Sequence, residues 1–182
     1  MKVVGFFHNI KHESFKDVLH FIDSEISPQT IVATESPLAL SDIVQDTQKD
    51  GQYKFLQDIC KRLLLKQSRV YPLEDSKLYK SMALIQTWFW FEGRQELLKN
   101  QGYKLLSVKR SISMFNQARD LGADFLLLGI SHAYHLMALK YVLEPIFIPL
   151  PSLEFKRYED ECIQTYLHYL AKKEENRLRY RK

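Results

Sequence analysis

The 182-residue chain has little of what marks several protein classes. It has only six glycines and six prolines, too few for a long flexible linker or a low-complexity array. Its two cysteines, Cys60 and Cys162, lie far apart in helix-like stretches. A disulfide framework is therefore not indicated, and a reducing, cytoplasmic setting is expected. No stretch has the roughly 18 consecutive apolar residues of a spanning helix, so no membrane span is expected. Residues 125–150 come nearest, and His132, His135, Lys140 and Glu144 interrupt them. The opening apolar run, residues 3–7, is too short for the core of a secretory signal. Net charge is small as well: the formal value is +4. Residues 172–182 hold six basic and two acidic side chains, which accounts for all of it. The body is balanced, which argues against a basic nucleic-acid-binding surface. The tail reads more simply as a helix end whose cations complement the dipole, although Arg177, Arg179, Tyr180 and Arg181 could touch phosphate.

What remains is a globular composition, 46% hydrophobic and 26% charged, at a length that suits one domain. Short apolar runs at 3–7, 30–34, 69–73, 124–130 and 145–150 read as strands. Between them apolar residues recur at helical spacing. Phe15, Val18, Leu19, Ile22 and Ile26 form one stripe, opened by Ser14 as a cap with Asp17 in the first turn. Phe55, Leu56, Ile59, Leu63 and Leu64 form another. A helix capped by Ser76 is expected to run through Leu78, Met82, Ile85 and Phe89 to a stop at 100–102. Further helices are expected over 107–121, over 133–143, and from 152 through Phe155, Tyr158, Cys162, Ile163, Tyr166 and Leu167 into the tail. Strands alternating with helices, the strands continuously apolar, predict an α/β fold. It would be a single domain over 1–182, with a mainly parallel sheet of about five strands flanked by helices, a long C-terminal helix, and a charged helical tail over 172–182. Pro145 and Pro149 bound the last strand or push it to an edge.

Two segments share a pattern. Gly5-Phe6-Phe7-His8 ends the first strand and Gly129-Ile130-Ser131-His132 ends the fourth. In an open α/β sheet, ligands bind outside the carboxyl ends of the strands. Glycine there lets the backbone turn or approach a ligand closely. Glu35 follows the second strand onto the same edge, a poor position for core packing. Two histidines and a carboxylate, His8, Glu35 and His132, can bind a divalent metal with open positions, or act as acid and base without one. Alternatively, both histidines only finish strands and hydrogen-bond neighbouring loops.

These motifs resemble the TraB/PrgY–Tiki–GumN family, within the wider superfamily of erythromycin esterase and the haem-binding ChaN lipoproteins. The resemblance runs over about residues 3–143. It is best from Lys109-Arg110 and Met114 through Ala123 to Gly129-Ile130-Ser131-His132-Ala133. The Pro28-led strand ending in Glu35 and the strand ending in Glu74-Asp75 fit the same pattern. Lys109 departs from it, standing where such proteins often carry Glu. The resemblance implies a metal-dependent hydrolase of peptide, ester or amide bonds. His8, Glu35 and His132 would be ligands or acid/base groups, with zinc, manganese or cobalt as the ion. Arg110 would orient Glu35 or stabilise an oxyanion. The alternatives are a non-catalytic metal- or haem-binding protein of ChaN-like type and, apart from the resemblance, a protein-interaction module using Trp88 to Phe91 and the basic tail.

His12, Glu13, Asp75 and His135 are accessory candidates. His132 and His135 are three apart and could share a helical face, with Tyr134 and His135 projecting into the cleft. Glu13 and Asp75 read equally well as acids at helix N-termini. Trp88, Phe89, Trp90 and Phe91 cover every side of a helix. They suit an internal helix–helix interface first and a homodimer or other protein contact second. The expected partner of the cleft is a small molecule or peptide substrate.

Overall fold

The computed structural model describes residues 1–7, 13–36, 39–45, 51–89 and 93–179. Among them five strands form one sheet: β1 (Lys2–Phe6), β2 (Ile31–Glu35), β3 (Arg69–Leu73), β4 (Phe125–Gly129) and β5 (Ile146–Ile148). Their order is β3-β2-β4-β1-β5, and every pairing is parallel. The sheet is thus wholly rather than mainly parallel, and β5 lies at its edge. Continuous apolar strands produce this arrangement because both faces are covered.

Strand alternation splits the core in two. Val4, Phe6, Val32, Phe125 and Leu127 face helices α1 (Phe15–Glu25), α2 (Leu40–Gln45) and α3 (Gly51–Leu65), meeting Val18, Ile22, Leu40, Phe55, Ile59 and Leu63. Val3, Ala33, Leu126 and Leu128 face the other way. They meet Met114 and Ala118 of α6 (Gln101–Asp120) and Ala133 and Leu136 of α7 (Ile130–Ala138). The long α8 (Leu153–Arg179) packs outside α6 and α7 through Val108, Tyr134, Cys162 and Ile163. The neighbours β1 and β4 are therefore followed by helices on opposite faces. Their carboxyl ends open on a crevice, the ligand position of doubly wound sheets.

Gly5 has a role other than approach to a ligand. A methyl group added to it would lie 2.6 Å from Cβ of Ala133, so its missing side chain lets α7 sit directly on β1.

Several boundaries differ from the expected ones. Ser14 occupies the N-cap of α1, but its side chain makes no capping hydrogen bond to the helix. Helix α4 (Ser76–Trp88) is capped by Asp75, not Ser76: its Oδ1 accepts from the N–H of Lys77 at 3.0 Å and of Leu78 at 3.1 Å. The 100–102 segment stops one helix, as expected, and also starts the next. Asn100 closes α5 (Arg94–Lys99), and its side chain accepts from Tyr103 N–H at 2.9 Å to begin α6. Asparagine is a strong N-cap, and Gly102 in the first turn costs little there. Helix α4 ends at Trp88, so the four aromatics do not share one helix; Trp90 and Phe91 lie outside the described residues. α7 ends at Ala138, and α8 runs unbroken to Arg179. No described helix is long and apolar enough to cross a membrane. Cys60 on α3 and Cys162 on α8 are both buried free thiols.

Candidate active site

Glu35 is the last residue of β2 and, by alternation, shares the face of Ala33 that α6 covers. Arg110 on α6 meets it there, although the two lie 75 residues apart in sequence. Arg110 Nη2 donates to Glu35 Oε1 at 3.1 Å and also to Glu74 Oε2; its Nε donates to Glu74 Oε1 at 3.1 Å. Nη1 faces Met82 Sδ at 3.4 Å, and the guanidinium lies 5.6 Å from the centre of the Tyr79 ring. Burial opposes the Arg110 charge. The Glu74 hydrogen bond and the charges of Glu35 and Glu74 outweigh it and hold the guanidinium pKa above its ordinary value.

The second half of the site comes from the β4–α7 junction. Strand β4 ends at Gly129 and α7 starts at Ile130, so His132 lies in the first helical turn. Glu35 Oε2 accepts the Gly129 N–H at 2.8 Å, and Oε1 stands 3.2 Å from His132 Nε2. His132 Nδ1 is 2.7 Å from Ser111 Oγ, and the same hydroxyl is 2.9 Å from His135 Nδ1. His135 Nε2 then lies 2.7 Å from Glu159 Oε2, and Glu159 Oε1 accepts from Ser131 Oγ at 2.7 Å. A continuous polar string thus runs from Glu74 through Arg110, Glu35, His132, Ser111 and His135 to Glu159.

Burial lowers the His135 pKa and favours the neutral imidazole, although the Glu159 hydrogen bond and charge favour the imidazolium. Burial also raises Glu159, but the His135 hydrogen bond and charge and the Ser131 hydrogen bond prevail and bring it below the ordinary carboxylate range.

A cleft of about 370 Å³ lies over the carboxyl ends of β1, β2 and β4. Glu35, His132, Ser131 and Glu159 line it, with Tyr103 and Ser107 of α6, Tyr158 of α8, and Phe6 and Phe7. Glu35, His132 and Ser111 have the sequence of contacts of a nucleophilic triad. Yet Ser111 is 0% exposed and does not line the cleft, so a substrate cannot reach its hydroxyl. Ser111 is an anchor, with its one oxygen between two imidazoles.

Of the expected site residues, the structure brings Glu35, Arg110 and His132 together. His8 and His12 lie outside the described residues. Glu13 is exposed on the approach to α1. Asp75 is a helix cap whose Oδ2 also accepts from Ser113 at 3.2 Å, a structural assignment instead of an accessory one. His135 does not project into the cleft: it is fully buried behind His132, because both histidines turn toward α6. Tyr134 turns the other way and donates to Asp160 Oδ1 at 3.0 Å.

Glu74, Ser111 and Glu159 were not singled out as site residues, although a signal existed for the last two. Glu159 falls on the apolar stripe of Phe155, Cys162 and Tyr166, and Ser111 beside Val108, Ile112 and Phe115. A carboxylate on a buried stripe needs a partner.

The donor sets differ in their fit to a metal ion. An ion bridging Glu35 and His132 would use Glu35 Oε1, the oxygen on which the Arg110 guanidinium already rests, and like charges oppose it there. The described part of that set does not fit a divalent ion. Deeper in, His135, Glu159 and Cys162 could hold one: their nitrogen, oxygen and sulfur ligand atoms lie within 4.8 Å of one another. No protein-family model matches this chain, and neither a curated protein nor a solved structure is significantly similar to it.

Proposed function

We propose that this chain is a hydrolase of peptide, ester or amide bonds that works by general acid–base chemistry at the Glu35–His132 pair. One observation carries the reading. A carboxylate and an imidazole from distant parts of the chain meet at 3.2 Å on the wall of a cleft, at the carboxyl ends of parallel strands. In this reading Glu35 takes a proton from water as the water attacks the carbonyl carbon. His132 returns a proton to the leaving group. Arg110 fixes the position of Glu35 and is itself fixed by Glu74. Ser111 fixes the imidazole from the opposite side. The resemblance to the TraB/PrgY–Tiki–GumN group implies Glu35, His132 and Arg110 for the same class of bond, with His8 and a divalent metal beside them. The fit of the donor atoms favours acid–base chemistry over an ion at this pair, so no step is routed through a metal.

The test is turnover of a panel of chromogenic esters, anilides and short peptides by the native chain, Glu35→Gln and His132→Asn. The expected result is hydrolysis of at least one class by the native chain and a fall of about 10²–10⁴-fold in each variant. Hydrolysis undiminished in both variants would remove the pair from the reaction.

A further inference from the structure

Behind the cleft lies a cluster that the acid–base reading does not use. We infer that His135, Glu159 and Cys162 form a binding site for one divalent first-row ion of the zinc type, held between α7 and α8. Glu159 and Cys162 are three residues apart on α8 and therefore present one face of the helix. His135 meets that face from α7. The three supply one imidazole, one carboxylate and one thiol, the donor set that zinc and cobalt favour.

Three further observations point the same way. First, the ligands already have the outer partners that metal ligands require. Ser111 holds His135 Nδ1 and Ser131 holds Glu159 Oε1, while His135 Nε2 and Glu159 Oε2, now hydrogen-bonded to each other at 2.7 Å, would exchange that contact for the ion. Second, no lysine or arginine hydrogen-bonds any of the three among the described residues, in contrast to Glu35. Third, Glu159 and Tyr158 both line the cleft, which gives an ion a way in and leaves the fourth tetrahedral position open to solvent.

Binding forms the metal–sulfur bond, breaks the Cys162 S–H bond and releases that proton to solvent.

The test uses the full chain freed of metal and titrated with cobalt(II). The expected result is one equivalent bound, an ultraviolet thiolate-to-cobalt charge-transfer band, visible bands of a tetrahedral ion, and displacement by zinc. Cys162→Ser should lose the band, and Cys60→Ser, altered on the other side of the sheet, should keep it. Should Cys162→Ser fail to fold, Glu159→Gln keeps the sulfur and should bind cobalt about tenfold or more weakly. No binding, binding without the sulfur band, a band that survives Cys162→Ser, or undiminished affinity in Glu159→Gln would each overturn the assignment. Failure here leaves the hydrolase reading intact, because its own assay needs no metal.

Discussion

Replacing Arg110 by Met tests whether the site is an electrostatic unit or a set of adjacent side chains. Met keeps much of the aliphatic length and removes the guanidinium. Two carboxylates then remain in a buried space: the Glu35 side chain is 11% exposed and the Glu74 side chain 4%. Removing one partner of a buried charge network costs about 3–5 kcal/mol, because the other charges lose their compensation. At this chain length each kcal/mol lowers Tm by about 2–4 °C, so the melting point should fall by roughly 6–20 °C. Urea unfolding should show a deficit of the same size. The triple variant Arg110→Met, Glu35→Gln, Glu74→Gln should recover most of the loss. A deficit below about 1 kcal/mol, the cost of an exposed ion pair, would refute the reasoning.

Other consequences are more local. Gly5→Ala places a methyl group 2.6 Å from Ala133 Cβ and should cost about 1–3 kcal/mol by chemical denaturation. Adding Ala133→Gly should restore part of it. Asp75→Ala removes the cap of α4 and should cost about 1 kcal/mol in the same assay while leaving turnover unchanged. Burial holds Cys60 and Cys162 at about 12 each, so neither should react with a thiol-specific disulfide reagent at about pH 8 in the folded, metal-free chain. Both should react in denaturant, and fast labelling of the native protein would contradict their burial.

The sheet was legible in the sequence because its strands are short apolar runs bounded by polar residues and proline. Their parallel pairing followed from the lack of alternation. Helix limits were less legible. Asn100, two residues before Gly102, reads as a stop on composition, and only its contact with the Tyr103 N–H shows it to be a start as well. In the site, Glu35 and His132 were recognisable because strand ends gather at one edge whatever the order of the strands. Their partners were not. Glu74 and Glu159 meet Arg110 and His135 through the crossing of helices over the sheet, and that geometry is not encoded in local spacing. The helical start of α7 at Ile130 also changed the meaning of His135, turning it from a cleft residue into a buried one.

The most direct measurement on the Glu35–His132 pair is a double-mutant cycle in kcat/KM, with Glu35→Gln, His132→Asn and both together, on whichever substrate the native chain hydrolyses. If the two groups act as a unit, each single change lowers kcat/KM by about 10²–10⁴-fold, and the double variant is little worse than the poorer single one. Single effects that multiply in the double variant, or variants that keep native turnover, would contradict that account.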